Sequence, residues 1–412
     1  MSGCWDFAVI GGGASGLAAA IAASDCGDRV LLLEKNSVIG RKIAASGNGR
    51  CNLMNFRPPV YYGDPSFANE VLHHFPPDLL IRFWNGLGLY LSEDKEGRVY
   101  PCTFHSGSVV DIMKEHLRSG GVDLRLQADV SGITFENRLF HIRLANETLS
   151  ARRILIATGG ISFPRLGGTS SGYSLLQAFG HRMVPLSPAL CPLVTDPRSI
   201  SGLAGIRVKG TVSLFSPSRI LLHQEDGEVL FTDYGISGIC VMQCARFVEG
   251  GSYMKINFLQ RIIPDQASLY DILKARREQI REFTPDCILH GLLVPKLSFA
   301  VVKQAGVILK GRNAGDLSDE ELKAICRTAY GYTVLIKGTK GFDEAQVAAG
   351  GISCDSFHPE TMESSLVPGL HASGEVLNVD GDCGGFNLMF AFASGILAGS
   401  NGRKGKAEFY HA

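Results

Sequence analysis

An α/β fold carrying a parallel sheet, interrupted by a second mixed domain, is the architecture the sequence predicts. Three observations predict it. The chain opens on a strand–helix–strand pattern whose first turn is a run of glycines. Four prolines between Pro185 and Pro197 then mark a change to short alternating apolar runs, followed by a helical period. Around residues 345–353 the apolar, glycine-rich texture of the first part returns. A chain of 412 residues is also too long for one ordinary core.

In order, residues 7–10 read as a short buried strand, 14–26 as an alanine-rich helix and 29–34 (RVLLLE) as a second strand. A glycine-rich loop covers 40–52, and helical stretches follow to about Gly88. The pattern then gives a helix at 109–119 and short strands over 122–156, the last ending in the glycine turn ATGG. Residues 205–258 alternate as antiparallel strands do, and 264–328 carry a helical period. The domains read as 1–190 and 344–412 for the first, and 191–343 for the insert. Apolar residues 384–399 number fewer than the roughly 20 that span a bilayer, so a buried helix is expected there.

Composition excludes several classes. Lys+Arg and Asp+Glu balance at 40 each, so no global field recruits nucleic acid or an anionic membrane. Glycine, at 49 residues, exceeds the roughly 7% usual share, which fits tight turns and close backbone approach to a ligand. Eleven cysteines form no CxxC pair, and Cys240 and Cys244 lack a matching second pair. Neither a disulfide framework nor a metal site is expected; reduced thiols in the cytoplasm are. No basic leader precedes the first strand, so no signal peptide is expected.

Gly11-Gly12-Gly13-Ala14-Ser15-Gly16 matches G-x-G-x-x-G between the first strand and first helix. Gly11 permits the tight turn, Gly13 lets backbone approach a pyrophosphate, and Gly16 allows helix to pack on strand. The helix N-terminus, opened by Ala14 and Ser15, faces the phosphates. Glu34 ends the second strand, followed by Lys35, where a carboxylate accepts from an adenosine ribose. Strand, helix, second strand and acid in register indicate a dinucleotide, although this fingerprint does not separate NAD from FAD. Glu34 argues against a 2′-phosphate.

Two further segments favour FAD. The loop holding Arg41, Lys42, Ser46, Gly47, Asn48 and Gly49 combines cations with glycines and can wrap a phosphate or press against a ring edge. Near the C-terminus, Gly374-Glu375 ends an extended run, and Gly384-Gly385 then opens an apolar helix with Asn387 and Leu388. Glu375 can take a ribityl hydroxyl, and the helix N-terminus can stabilise charge on a reduced flavin. Thr158 and Gly159 stand in the ATGG turn. An extended FAD needs contacts from both chain ends, whereas NAD does not.

These segments resemble the BaiN-type family of two-dinucleotide-binding flavoproteins over nearly the whole chain. The resemblance rests on VIGGGASG (9–16), RKIAASGNGRCN (41–52), GRVYP (97–101), ATGG (157–160), GEVLFTDYGISG (227–238), AAGGIS (348–353) and ASGEVLNVDGDCGGFNL (372–388). It implies FAD, an insert after about residue 190, and redox activity in the cytoplasm. One activity it implies is reduction of conjugated double bonds in 3-oxo bile acid intermediates. Other relatives resemble RNA dihydrouridine synthases or amine oxidases. Two departures stand out. Relatives commonly carry glycine where this chain has Asn48, and histidine where it has Asp233. Asparagine tolerates a left-handed backbone; loss of the histidine bears on proton delivery.

The expected reaction moves hydride from NAD(P)H through FAD to the conjugated C=C bond of a small hydrophobic enone. No second G-x-G-x-x-G follows a strand, so no separate nicotinamide domain is visible. Cys51 and Tyr234 are candidate acids, the former because neighbouring cations would lower its pKa; each has packing as its plainer role. His371 and Cys383 read as packed side chains. Asp111, Glu115 and the run Lys274–Arg277 read as solvated faces. Ile236, Ile239, Val241 and Met242 are candidates for an apolar cleft or for core. The alternatives are an amine oxidase and reduction of uridine in RNA; the latter needs a basic channel, and Lys274, Arg276, Arg277, Lys310, Arg312 and Lys337 are interleaved with acids.

Overall fold

The computed structural model describes residues 4–401. Residues 1–3 and 402–412 lie outside the described residues. The chain divides into two compact units, Met1–Ser187 with Gln346–Ala412, and Pro188–Ala345.

In the first unit a sheet of seven strands forms around Trp5–Ile10. On one side of it Val30–Glu34 and then Asp123–Leu126 pair in parallel. On the other, Thr148–Ile156 runs parallel to it. That nine-residue strand is shared along its length: Thr148–Ala151 pairs antiparallel with Leu139–Arg143, while Ile154–Ile156 pairs parallel with Leu370–Ala372. Chain from both ends of the sequence therefore meets on one strand. Val9, Leu31, Leu32, Ile154 and Leu155 are fully buried, as expected of strands covered on both faces.

The alanine-rich helix Ala14–Asp25 and the apolar helix Phe386–Ser400 pack together. Small residues make that contact close. A Cβ at Gly395 would lie 2.2 Å from the Ser15 carbonyl oxygen, and one at Gly399 2.3 Å from that of Ala19. Phe392 meets Trp84 edge-on, with centroids 4.8 Å apart. The C-terminal helix is thus apolar all round because it is enclosed by protein. Among the described residues, no helix is long and apolar enough to cross a membrane. Residues 41–45, read from sequence as loop, form one turn of α-helix, followed by a 3₁₀ turn at Ser46–Gly49.

The second unit is a closed six-stranded barrel with helices. Around it run Leu193–Thr195, Gly235–Ser237, Leu221–Phe231, Arg207–Phe215, Tyr253–Asn257 and Tyr332–Thr339, all antiparallel. Helices Gln266–Gln279, Pro295–Gln304 and Asp319–Ala329 supply Leu269, Leu297, Val301, Leu322 and Ile325 to the same core. Ile236 and Val241 are fully buried in that core, Met242 is half-buried and Ile239 is exposed.

Candidate cofactor site

The glycine turn shows a different constraint at each of its three positions. Gly11 has φ +113°, and a Cβ there would lie 2.4 Å from the Ala157 carbonyl oxygen. A Cβ at Gly16 would lie 1.9 Å from the Gly11 carbonyl oxygen. Both glycines are demanded by the fold itself. A Cβ at Gly13 would meet nothing within 4 Å. Gly13 is also the N-cap of the helix, where no side chain caps the open N–H groups. The one glycine the fold does not require faces open space at a helix N-terminus, which is the cradle a diphosphate needs.

Glu34, buried at the end of the second strand, braces this turn. Its Oε2 accepts the Gly12 N–H at 2.7 Å, and its Oε1 accepts the backbone N–H of Asn36 at 2.7 Å and the Asn36 amide. A carboxylate offers about four acceptor sites, so one remains for a ribose hydroxyl. Lys35 beside it is half-buried. Ala14 and Ser15 open the helix, and the Ser15 hydroxyl donates to the Ser373 carbonyl at 3.4 Å. Arg41 is committed to protein, donating to Asn36 Oδ1 at 3.0 Å and to the Arg165 carbonyl at 2.7 Å.

A second polar centre gathers around Glu375. Its Oε2 accepts from Lys42 Nζ at 3.0 Å, and its Oε1 from Ser162 Oγ at 2.6 Å and the Ala348 N–H at 3.0 Å. Lys42 Nζ also donates to Ser162 Oγ at 2.9 Å. Side-chain exposure of 29% for Lys42 and 19% for Glu375 makes this a partly desolvated pair. Buried Tyr173 closes the group: a Cβ at Gly160 would lie 2.9 Å from both its hydroxyl and Glu375 Oε1. Burial, with the Glu375 charge beside it, holds the Tyr173 hydroxyl well above the usual phenol range. Gly159, at φ +70°, has only Glu375 within 4 Å of its Cβ position, and Thr158 packs against Gly172 where any side chain would collide. Glu375 and Lys42 are the residues the motifs marked. Ser162, Ala348 and Tyr173 are new, although ATGG and AAGGIS flank or contain the first two.

The cation-bearing loop takes a left-handed path. Gly47, Asn48 and Gly49 have φ of 57°, 55° and 81°, so asparagine holds the conformation that glycine otherwise supplies. The Ser46 hydroxyl donates to the Ile43 carbonyl at 2.7 Å. Cys51 follows at φ 58° and is fully buried. Burial pushes its thiol up to about 12, against a smaller lowering by Ser46. The expectation that neighbouring cations activate it is corrected: desolvation outweighs charges that face solvent.

At the C-terminal glycine pair, Gly384 and Gly385 have φ of 134° and 107°. A Cβ at Gly385 would lie 2.7 Å from Asn52 Oδ1 and from the Met54 carbonyl oxygen, so this turn is pressed onto the cation loop. Asn387 ties its own helix to the preceding strand, accepting from the Gly381 N–H and donating to the Gly381 carbonyl, both at 2.8 Å. Leu388 is half-buried.

Outside this centre, His371 is fully buried between the Gly369 carbonyl and Asn401 Oδ1, each 3.1 Å away, and burial holds its pKa low. Burial likewise raises the Cys383 thiol. Tyr234 lies in the second unit, half-buried, with Lys340 Nζ 4.4 Å from its ring centroid; Asp233 beside it is exposed. In the same unit Arg277 pairs with Asp319 at 3.0 Å, and Arg312 holds Glu321 through two hydrogen bonds.

A mainly parallel α/β sheet, a three-glycine turn at an uncapped helix and a braced acid on the second strand define a Rossmann-type dinucleotide-binding protein. The chain belongs to the HI0933-like family: the description "HI0933-like protein Rossmann domain" matches residues 5–401. It is 34% identical over 402 residues to a 3-dehydro-bile acid delta(4,6)-reductase of Clostridium scindens, covering 95% of this chain and 97% of that one. It is 30% identical over 404 residues to a ribosomal RNA dihydrouridine synthase of Escherichia coli, covering 95% and 96%. A ribosomal RNA dihydrouridine synthase of Haemophilus influenzae is 28% identical over 396 residues, covering 94% and 95%. The motif resemblance to BaiN-type flavoproteins agrees with these findings.

Proposed function

We propose that this protein binds FAD in the first unit and reduces a carbon–carbon double bond conjugated to a carbonyl, in a small hydrophobic enone of the 3-oxo steroid type. The observation that carries the reading is the open cradle at Gly13 beside the Glu375–Lys42 centre, in a chain similar along its length to a bile-acid double-bond reductase. FAD held there would supply the hydride-transfer chemistry, with a reduced nicotinamide as the donor.

The chain's own residues bind and orient. The N-terminus of Ala14–Asp25, with Gly13 in place of a side chain, takes the diphosphate, and Glu34 takes the adenosine ribose. Glu375 presents its remaining lone pair to the ribityl chain while Lys42, Ser162 and Ala348 hold the carboxylate in one rotamer. The left-handed Gly47–Gly49 turn and the Gly384–Gly385 turn bring backbone alone to the ring edge. The start of Phe386–Ser400 offers N–H groups to negative charge developing there. Cys51, being protonated at neutral pH, serves as packing under this loop.

A second reading, reduction of a uracil ring in RNA, shares this chemistry, since uracil also has a double bond conjugated to a carbonyl. It is favoured by an open groove of about 650 Å³ on the second unit that includes Lys255 and Arg327. Against it, Arg277 and Arg312 are already neutralised by carboxylates. The test is anaerobic mixing of reduced holoprotein with a 3-oxo dienone steroid, following flavin absorbance by stopped flow. Rapid reoxidation with loss of the dienone chromophore is expected. A flavin that stays reduced with steroid, but turns over with unmodified ribosomal RNA to give dihydrouridine, overturns the small-molecule reading.

A further inference from the structure

The sequence suggested no metal site, because its cysteines form no paired pattern. The second unit nevertheless brings together Asp286, Cys287 and His290 within one turn of chain. We propose that these three side chains bind a divalent transition cation of the zinc class, leaving a fourth position open to water or a ligand. The site is independent of the flavin reading.

The short 3₁₀ helix Pro285–Leu289 creates the juxtaposition. His290 follows as its C-cap and donates its N–H to the Cys287 carbonyl at 3.0 Å, which ties the two residues together across the turn. One ligand atom from each of Asp286, Cys287 and His290 lies within 4.8 Å of the other two. Ligand atoms around tetrahedral zinc stand roughly 3.3–3.8 Å apart, so closure by about 1 Å through side-chain rotation completes the geometry. Among the described residues, this is the group of three potential ligands whose donor atoms lie within 4.8 Å of one another.

A second observation comes from His290 itself. Its Nε2 is buried and has no hydrogen-bond partner. A buried ring nitrogen without a partner is costly, and metal ligation is one of the few interactions that supply one at this position. The backbone beneath is held firmly. Pro285, Ile288 and Leu289 are buried, the Asp286 carbonyl accepts from the Ser298 hydroxyl, and the Cys287 N–H donates to the Thr284 carbonyl at 3.0 Å. All three ligand side chains are half-buried, so an ion can enter from solvent.

The donor set selects the cation. Thiolate and imidazole with a single carboxylate suit zinc or cobalt and disfavour magnesium and calcium, which take oxygen ligands. Binding is not a redox step. Cys287 releases its thiol proton to solvent as the sulfur–metal bond forms, and the imidazole binds neutral.

Cobalt(II) serves as the probe. Full-length holoprotein is reduced with a non-thiol reductant, stripped with a chelator and titrated with cobalt(II) chloride. The expected result is one equivalent bound, with a thiolate-to-cobalt charge-transfer band and the visible bands of a four-coordinate ion, both lost when zinc is added. Cys287→Ser loses the charge-transfer band, and His290→Ala loses the four-coordinate bands. Cys102→Ser, which alters an exposed cysteine elsewhere, keeps both. Circular dichroism of each variant confirms that it is folded. Absence of a charge-transfer band in the wild-type protein, or a band that survives Cys287→Ser, overturns the proposal.

Discussion

Replacing Gly13 by alanine separates what the fold needs from what the cofactor needs. Gly13 sits at φ −88° and ψ −168°, an extended conformation that alanine adopts without strain. Its added Cβ would meet no protein atom within 4 Å. Loss of glycine at the N-cap costs about 0.5–1 kcal/mol, and the stiffer unfolded chain returns about 0.4–1 kcal/mol, so apo stability is expected to be nearly unchanged. The same methyl stands in the space assigned to the diphosphate. Forcing one methyl into a filled site costs about 1–3 kcal/mol, which weakens FAD binding roughly 5- to 150-fold. Gly16→Ala is the contrast, because its Cβ would lie 1.9 Å from a backbone oxygen and the turn itself must move. Thermal melts of the apo proteins and fluorescence titration with FAD read the two effects apart. If Gly13→Ala binds FAD like wild type, the placement of the diphosphate is refuted. If it melts as early as Gly16→Ala, the distinction between the glycines is refuted.

Lys42→Met leaves Glu375 with only Ser162 and the Ala348 N–H; with both side chains partly exposed, a loss of about 1 kcal/mol is expected. A double-mutant cycle with Glu375→Gln in urea denaturation should show coupling, and strict additivity would sink the pairing. The Cys51 thiol, raised from 9.0 to about 12, should resist iodoacetamide at pH 8 while exposed Cys102 is alkylated, as peptide mass spectrometry will show. Because its folded pKa is raised, its contribution to stability is complete below about 9 and is lost as pH rises towards 12. Equal labelling of the two cysteines would contradict this burial. Asn48→Gly should leave the melting temperature unchanged or higher, whereas Asn48→Val should cost about 1–2 kcal/mol at φ 55°. Equal melting of the two variants would remove the left-handed turn from the account.

The glycine fingerprint, the acid at Glu34 and the long motifs were legible in the sequence because each is local. A strand, a turn and a helix within thirty residues leave their periods and their glycines in consecutive letters. Acids interleaved with Arg277 and Arg312 were visible in the sequence, but the partners Asp319 and Glu321, both on the helix Asp319–Ala329, were chosen by the fold. Gly385 and Gly395 could be seen as glycines, but their reasons lie more than three hundred residues away, at Asn52 and Ser15.

Tertiary structure decided matters that depend on burial and on distant contacts. Cys51 sits among cations in the sequence, which suggests a reactive thiolate; the fold buries it, and desolvation reverses the sign. Asn387 appeared free to meet a cofactor, yet it hydrogen-bonds Gly381. Ser162 joins Glu375 because the strand Thr148–Ile156 takes Leu370–Ala372 as its parallel neighbour, joining segments two hundred residues apart. The trio Asp286, Cys287 and His290 is adjacent in sequence but became a cluster only when the turn proved to be 3₁₀. Periodicity and motif spacing record local geometry, so the sequence by itself determined the fold class and the dinucleotide turn. Electrostatic environment is a property of everything packed around a group, so only the folded chain assigned those side chains their states.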